Sequence, residues 1–370
     1  MIGRGAACVL GLALLAAPQQ APRPVQDLER LPYGPRHYVC YRAAAPVVVD
    51  GALTEAAWRA APWTAVFVDI EGDLKPAPRF RTQAKMLWDD TDFYVAVDME
   101  EPDLWATLTT HDSVIFNDND VEVFVDPDGD THTYAELELN ALNAVWDLML
   151  VKPYRDGGPP VTAWEATGLR SAVALRGTLN QPVDRDEGWT VEIAIPWRAL
   201  QETAPGKRPP RAGDQWRVNF SRVEWPSDQR NGRYVKRLDA TTGKPVGPDN
   251  WVWSPQGVVD MHMPERWGLV QFSDLAAGIG TEPFVDDPND AVKWALRRIY
   301  YRQRVSRARN GQYATSLAAL DGPPVTLAGM DFAPDLQATR DTFRVSATGI
   351  GRATVHLQDD GRVWVDRGRQ

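Results

Sequence analysis

Cysteine is scarce in this sequence. The 370 residues contain two cysteines, and one of them, Cys8, lies within an apolar stretch at the N-terminus. If that stretch is removed, only Cys40 remains, so no internal disulfide can stabilise the mature chain. The fold must therefore depend on a large hydrophobic core, which a 44% share of apolar residues can supply.

Long hydrophobic runs are also missing. The apolar run at residues 6–17 is shorter than the roughly 20 residues of a membrane-spanning helix. Arg4 precedes the run, and small residues follow it that offer cleavage points. This pattern predicts a secretory signal peptide at residues 1–21 and then a Pro/Gln-rich tether at residues 22–36. We therefore expect a periplasmic or secreted protein.

Positive charge is in short supply as well, because the net charge is −10. Binding to nucleic acid depends on a basic surface that neutralises phosphates, so we expect no nucleic-acid partner. The sequence motifs of nucleophilic hydrolases, nucleotide-binding proteins and zinc enzymes are absent. His111, His132 and His262 follow no zinc-binding pattern, and we interpret them as ordinary loop histidines. No catalytic residues are predicted, and we do not expect an enzyme.

Tryptophan, by contrast, is abundant, with 15 residues. A flat indole ring stacks well on the apolar face of a sugar, and secreted β proteins that handle sugars often carry many tryptophans. Tryptophan also fills hydrophobic cores, and we expect most of these residues to do so.

Short stretches of alternating apolar and polar residues recur over residues 37–273. Val121, Val123 and Val125 mark one face of such a stretch. The stretches are separated by turns rich in Gly, Pro and Asp, which is typical of short β-strands. The spacing predicts a mainly β fold, a β-sandwich with helices as minor additions.

The character of the sequence changes after residue 273. Residues 274–290 form a linker rich in Gly, Pro and acidic residues, and residues 291–370 combine a helical pattern with short strands. We therefore predict a small α+β C-terminal appendage that is separate from the sandwich. A cut near Thr281 is expected to leave the sandwich folded.

The predicted C-terminal helix is strongly basic. Its cations are Lys293, Arg297, Arg298, Arg302, Arg304, Arg307 and Arg309. The pattern predicts a solvated helix face or, alternatively, attachment to an anionic envelope surface or an acidic protein partner near Arg297. The segment WALRRIYYRQRVSRARNGQYATSLAAL also resembles the stem helix of type IV pilin-like domains.

Several strings in the first two thirds of the chain resemble the pattern of carbohydrate-binding module family 9. They are VVVDGALTEAAW, AKMLWDDTDFYVAV, NDNDVEVFVDPDGD, GWTVEIAIPW and PERWGLVQF, in the order of the family and within residues 38–273. The resemblance implies a β-sandwich that binds glucans, xylans or small sugars, usually at chain ends and often with structural calcium. It implies no hydrolytic activity of the domain itself.

The resemblance also indicates where a sugar would stack, since two tryptophans enclose one sugar ring in the family. The first position falls on Phe116 and the second near Met261, with Trp251 and Trp253 as displaced candidates. Phe116, Trp251 and Trp253 in one exposed groove would favour sugar binding. Separate burial of the three would favour a scaffold domain.

Polar side chains mark the second face of the predicted hairpin around residues 120–140. They are Glu122, Glu136, Glu138 and Asn140. These groups can hydrogen-bond sugar hydroxyls, although a plain solvated sheet face is the alternative. Paired carboxylates also suit a glycosidase, but neighbouring positions on one face do not flank a glycosidic bond from both sides.

The turn of the same hairpin carries Asp126, Asp128 and Asp130 around Gly129. Carboxylate oxygens grouped in this way suit a structural Ca²⁺ ion. The string Asp-Pro-Asp-Gly is equally suited to a plain turn that holds no ion.

Three functional hypotheses follow from the sequence. We prefer non-catalytic binding of an oligo- or polysaccharide by an exported protein linked to polysaccharide use. The alternative is an envelope interaction or scaffold domain that has lost its sugar site, and a glycoside hydrolase is third.

Overall fold

A computed structural model describes residues 25–203 and 209–366 of the chain. These residues form two β-rich units, each with its own hydrophobic core. In the first unit, the strands are β1 His37–Arg42, β2 Val68–Asp69, β3 Thr82–Trp88, β4 Asp92–Glu100, β5 Asp120–Asp126, β6 Tyr134–Asn140, β7 Val145–Leu150, β8 Pro160–Val161, β9 Arg170–Arg176, β10 Gly188–Pro196, β11 Gln215–Glu224, β12 Ser227–Arg230, β13 Arg233–Lys236, β14 Asp249–Val252 and β15 Gly268–Ala276. A short helix, α1, spans Ala56–Ala60.

The strands of the first unit form two layers. One has the order β8-β7-β6-β5-β11-β15, with β14 beside the end of β11 and β2 beside β14, and the other has the order β3-β4-β10-β9. Strand β1 joins the layers because its first half pairs in parallel with β15 and its last residues pair with β3. The hairpin of β12 and β13 stands apart from both layers.

One large core lies between the two layers. Val121, Val123 and Val125 of β5 are buried in it, as their alternation predicts, together with Val95 of β4 and Ile193 of β10. Burial of a side chain of this size contributes roughly 1.5–3 kcal/mol to the stability of the fold. The predicted β-sandwich is confirmed.

The second unit contains one long helix and a small sheet, as predicted for the C-terminal appendage. Helix α2 spans Asp290–Asn310 and ends at Gly311, whose φ of 69° is left-handed. The strands are β16 Asp335–Ala338, β17 Phe343–Thr348, β18 Thr354–Gln358 and β19 Val363–Asp366, which pair in this order.

The second core is not confined to the C-terminal unit. Leu28, Val258 and Met263, which precede it in the chain, are buried in the same cluster as Leu296 and Ile299 of α2. The prediction that residues 22–36 form a tether is therefore wrong for the part that the structure describes. Its apolar Leu28 gains more from burial against α2 than it would from exposure to water.

Polar contacts reinforce this junction between the two units. Arg155 donates to Glu265 at 2.8 Å, and the Tyr301 hydroxyl of α2 donates to the same carboxylate. Burial alone would raise the pKa of Glu265, but Arg155 and Arg297 lower it to about 2. The predicted appendage is thus attached through a buried, charged interface rather than through a linker alone.

Most cations of α2 contact other groups of the protein, whereas the sequence predicted a solvated helix face. Arg297 lies 2% exposed and donates to the Gly361 carbonyl at 2.7 Å. The other paired cations are Lys293 with Asp287 and Asp290, Arg302 with Glu29, Arg304 with Asp156, Arg307 with Asp341 and Arg309 with Asp321. Arg298, beside Arg297, is half-buried, and Arg307 and Arg309 are exposed, so attachment to an anionic surface or acidic partner stays a prediction.

One prediction about the N-terminus remains an expectation. The predicted signal peptide at residues 1–21 lies outside the described residues. Within residues 25–203 and 209–366, no helix has both the length and the apolar character needed to cross a membrane.

Candidate functional site

The outer face of the first sheet carries a buried group of carboxylates. Pairing of β5 with β6 sets Glu122 opposite Glu138 and Phe124 opposite Glu136, so the three glutamates lie on one face. Asp120 joins them from the start of β5, since one oxygen each of Asp120, Glu122 and Glu138 lie within 4.8 Å of one another. We call Asp120, Glu122, Glu136 and Glu138 the acidic floor.

The side chains of the acidic floor are far less exposed than a solvated sheet face would be. Glu122 is 6% exposed and Glu138 is 2% exposed. Burial raises the pKa of Glu122 to about 7 and holds the pKa values of Asp120, Glu136 and Glu138 well above their usual range, with repulsion among the four carboxylates adding to the effect.

Few basic groups compensate the acidic floor. No described lysine, arginine or histidine forms an ion pair with Asp120, Glu122 or Glu138 within 4.0 Å. Neither carboxylate oxygen of Asp120 accepts a hydrogen bond of ordinary geometry from a described residue, although the Val223 N–H is close enough to lower its pKa slightly. Both oxygens of Asp120 and Oε2 of Glu136 are therefore buried acceptors that no described residue pairs with.

Asn140 does not belong to this set, which corrects its predicted role as a sugar-binding residue. Its amide nitrogen donates to the Leu108 carbonyl at 2.8 Å and to Asp118 at 3.0 Å. Its amide oxygen accepts from the backbone N–H groups of Leu142 and Ala144. Its amide oxygen thus closes the turn between β6 and β7, and its amide nitrogen holds the loop between β4 and β5, so both ends of the amide are in use.

Trp251 and Trp253, the displaced candidates for the second stacking position, lie in the sandwich core. Trp251 is 2% exposed and Trp253 is 1% exposed. Trp251 pairs with Arg222 across the strands, and Trp253 packs at 5.9 Å from the ring of Phe220. Because the strand alternation turns both indoles inward, neither can stack on a bound sugar in this structure.

Phe116, the predicted first stacking residue, lies at the edge of the acidic floor. Its backbone N–H donates to Glu138 at 3.0 Å, and its half-buried ring lies 6.2 Å from the ring of Trp146. Trp146 stands directly opposite Glu138 on β7. The indole N–H of Trp225 donates to the Phe116 carbonyl at 2.8 Å.

Trp146 and Trp225 were missed by the sequence analysis. Trp146 could have been found, because its place on β7 puts it on the same face as Glu138. Trp225 follows β11 and carries the Lys236 ammonium 3.3 Å from its ring centroid, a contact that no local pattern indicates. Burial lowers the pKa of Lys236 to about 8.

Met261 lies toward the opposite end of the same face. It is partly buried against the cluster that contains Phe124 and Trp267, and its carbonyl accepts the indole N–H of Trp267 at 2.8 Å. Next to it, Nδ1 of His262 forms a 2.9 Å hydrogen bond with the Tyr134 hydroxyl. Met261 offers an apolar contact there but no flat ring.

The three aspartates of the β5–β6 turn converge, with one oxygen of each within 4.8 Å of the others. Two of these carboxylates already accept hydrogen bonds, Asp126 from the Thr131 N–H at 3.0 Å and Asp130 from Arg362 at 2.8 Å. Ca²⁺ at this turn would have to compete with the Arg362 guanidinium. Calcium binding stays a prediction, which melting curves in chelator and in millimolar calcium would check.

The predicted loop histidines have separate surroundings. His132 lies 3.4 Å from Asp360, His262 contacts Tyr134, and His111 lies beside Glu165. Burial lowers the pKa of His262 to about 3, with Arg155 adding to the effect.

The fold and the site together define a β-sandwich domain with a buried acidic face and aromatic rings at its edge. Residues 49–219 match the family model described as Carbohydrate family 9 binding domain-like. The matched residues lie within the region whose strings resemble family 9, so the resemblance seen in the sequence is confirmed for this part of the chain.

The chain is also similar to solved structures of a carbohydrate binding module family 9 from Caldicellulosiruptor kristjanssonii. The one in complex with cellotriose shares 14% identity, with a TM-score of 0.41, and the match covers 68% of this chain and 100% of that chain. The one in complex with glucose shares 15% identity, with a TM-score of 0.39, and covers 67% of this chain and 100% of that chain. Among curated proteins, none matches the chain.

Proposed function

We propose that the protein binds carbohydrate without catalysis, at the acidic floor and the aromatic rings beside it. The observation that carries the proposal is the placement of Phe116, Trp146 and Trp225 beside a group of carboxylates in which some oxygens have no hydrogen-bond partner among the described residues. A sugar presents hydroxyls that donate to carboxylates and an apolar ring face that stacks on an aromatic side chain.

The family match supports the ligand class. The family 9 structures that the chain is similar to hold cellotriose and glucose. We infer that the ligand is a glucan or xylan fragment or a small sugar. With the predicted signal peptide, this suggests an exported protein that holds polysaccharide fragments for other proteins to use.

The arrangement of the carboxylates argues against a glycosidase. Asp120, Glu122 and Glu138 lie on the same sheet surface within 4.8 Å of one another. A glycosidase needs two carboxyl groups that approach the glycosidic bond from different sides, and neighbouring positions on one floor do not provide this.

A scaffold or interaction domain is the second candidate. Burial of Trp251 and Trp253 in the core favours it, because these tryptophans cannot form the second wall of a family 9 type site. If the protein binds sugar, Trp146 or Trp225 must take the place of the second stacking tryptophan. If it is a scaffold domain, neither of them contacts a sugar.

The test is a glycan array on the purified protein, followed by calorimetry with the best ligand. Trp225→Ala should weaken binding, since it removes a ring beside the floor. Trp63→Ala is the matched control, because Trp63 is 40% exposed and carries the Lys85 ammonium 4.3 Å from its ring centroid. Absence of any glycan signal, or equal loss in both variants, would favour the scaffold function.

A further inference from the structure

A second polar cluster lies outside the acidic floor, and nothing in the proposed sugar site uses it. It consists of His111 and Asp112 in the loop between β4 and β5, Asp147 on β7 and Glu165 in the loop before β9. One ligand atom from each of the four side chains lies within 4.8 Å of those of the others. Three separate segments of the chain thus bring one imidazole and three carboxylates together.

His111 Nε2 faces three carboxylates at once, and its contact with Glu165 is a long hydrogen bond. Its Nε2 lies 3.3 Å from Glu165, 3.5 Å from Asp112 and 3.5 Å from Asp147. One imidazole N–H donates mainly to one acceptor, at about 2.9 Å. In a tetrahedral site with metal–ligand bonds of about 2.1 Å, neighbouring ligand atoms are about 3.4 Å apart. The three distances from Nε2 to the carboxylate oxygens are close to this value.

Asp147 gives an independent indication that the cluster is built for a ligand. Its side chain is only 3% exposed. Its Oδ2 accepts the Ala166 N–H at 2.5 Å, whereas its Oδ1, the atom nearest His111, accepts no hydrogen bond from a described residue. A buried carboxylate oxygen without a partner is costly, and a bound cation would provide one.

The loop that carries His111 and Asp112 is hydrogen-bonded to the strand that carries the buried Asp147. The Asp112 N–H donates to the Val145 carbonyl of β7 at 3.0 Å. The backbone therefore holds His111 and Asp112 next to Asp147 before any ion binds, so little ordering is needed on binding.

We propose that His111, Asp112, Asp147 and Glu165 form a binding site for a divalent transition metal, with Zn²⁺ as the ion that fits best. Neutral imidazole and carboxylate oxygens are its usual ligands, and four of them complete a tetrahedral site. Ca²⁺ fits less well, because it takes six to eight oxygen ligands at longer distances. Three carboxylates also more than balance the charge of the ion.

The metal would connect parts of the chain that also border the acidic floor. The loop of His111 continues to Phe116, and Asp147 follows Trp146 on β7. A bound ion would fix the Phe116 loop against β7. Metal binding does not require that a sugar binds, so the two proposals are tested separately.

The test is isothermal titration of the tag-free full chain with ZnCl₂ after removal of metal by a chelator. One site is expected, and His111→Gln and Glu165→Gln should each weaken the Zn²⁺ affinity at least tenfold. Both side chains are exposed, so neither change should disturb folding, which circular dichroism and melting curves would verify. Co²⁺ should give the visible absorption bands of a tetrahedral site, lost in His111→Gln.

His37→Gln is the control variant. His37 is another partly exposed histidine, but it has a single carboxylate near it, that of Asp286 at 4.0 Å. Its replacement should leave the Zn²⁺ affinity unchanged. The proposal is overturned if the full chain shows no Zn²⁺ binding, if either His111→Gln or Glu165→Gln binds as tightly as the wild type, or if His37→Gln weakens binding to the same degree.

Discussion

Glu122 on β5 and Glu138 on β6 lie directly opposite each other on the outer face of the sandwich, and both side chains are almost completely buried. Like charges at directly opposite positions of a sheet repel, and burial strengthens the repulsion. The pair is therefore unfavourable when both carboxyl groups are ionised. Protons, or donors from a bound ligand, would relieve it.

The first prediction concerns pH. A carboxyl group with a raised pKa in the folded state binds its proton more tightly there than in the unfolded chain. The contribution of Glu122 to stability is complete below its usual pKa of 4.5 and is lost as the pH rises to about 7. Asp120, Glu136 and Glu138 act in the same direction at higher pH. We expect the melting temperature to fall by a few degrees between pH 5 and pH 8.

Glu138→Gln provides the check on that prediction. Glutamine keeps the shape of the side chain but removes one charge from the floor, so the variant should melt higher than the wild type at pH 8 and show a flatter pH profile. Asp184→Asn, a change at an exposed carboxylate, should leave the profile as it is. A wild-type melting temperature that rises from pH 5 to pH 8 would show that the floor does not control stability.

The second prediction concerns Phe116. Its ring lies at the edge of the acidic floor, where it can stack on a sugar bound there. Phe116→Ala should weaken sugar binding by about 1 kcal/mol, or roughly fivefold in Kd, while Phe116→Trp should retain or strengthen it. Calorimetry on the three proteins measures this. Equal affinities for all three would remove Phe116 from the site.

The alternation of residues was sufficient to predict the sandwich and the face on which the glutamates lie. Val121, Val123 and Val125 had to point one way, so Glu122 had to point the other. Alternation does not show which side of a strand faces the core when both neighbours are apolar or aromatic. Trp251 and Trp253 were proposed for the site from the resemblance, and alternation gave no reason to exclude them, although both are buried.

Ion pairs between residues far apart in the chain could not be predicted from the sequence. Arg302 and Arg304 of α2 pair with Glu29 and Asp156, which are far away in the chain. A helix with seven cations therefore looks solvated in the sequence and is largely paired in the fold. The cluster around His111 is similar, because its ligands come from three segments without a recognisable spacing.

The third prediction concerns truncation. The core of the C-terminal unit includes Leu28, Val258 and Met263, so a fragment that ends near Thr281 would expose them to water. The fragment would also lack Tyr301, whose hydroxyl donates to Glu265, the carboxylate that pairs with Arg155. We expect the fragment to aggregate or to lose its cooperative melt. If the fragment melts as sharply as the full chain, the sandwich folds as a separate domain and this prediction is wrong.

The fourth prediction compares a buried and an exposed ion pair on the same helix. The Asp156 side chain is fully buried, and it accepts from Arg304 at 2.6 Å and from the Tyr300 hydroxyl. Asp156→Asn should destabilise the protein by about 3–5 kcal/mol, because it leaves buried donors with an incomplete partner.

Asp321→Asn is the matched control for Asp156→Asn. Asp321 pairs with Arg309 near the end of α2, but it is 78% exposed, so its loss should cost less than about 1 kcal/mol. Urea denaturation of the two variants measures both values. If the two changes cost the same, Asp156 does not hold the C-terminal unit to the sandwich, and the junction depends on its apolar contacts alone.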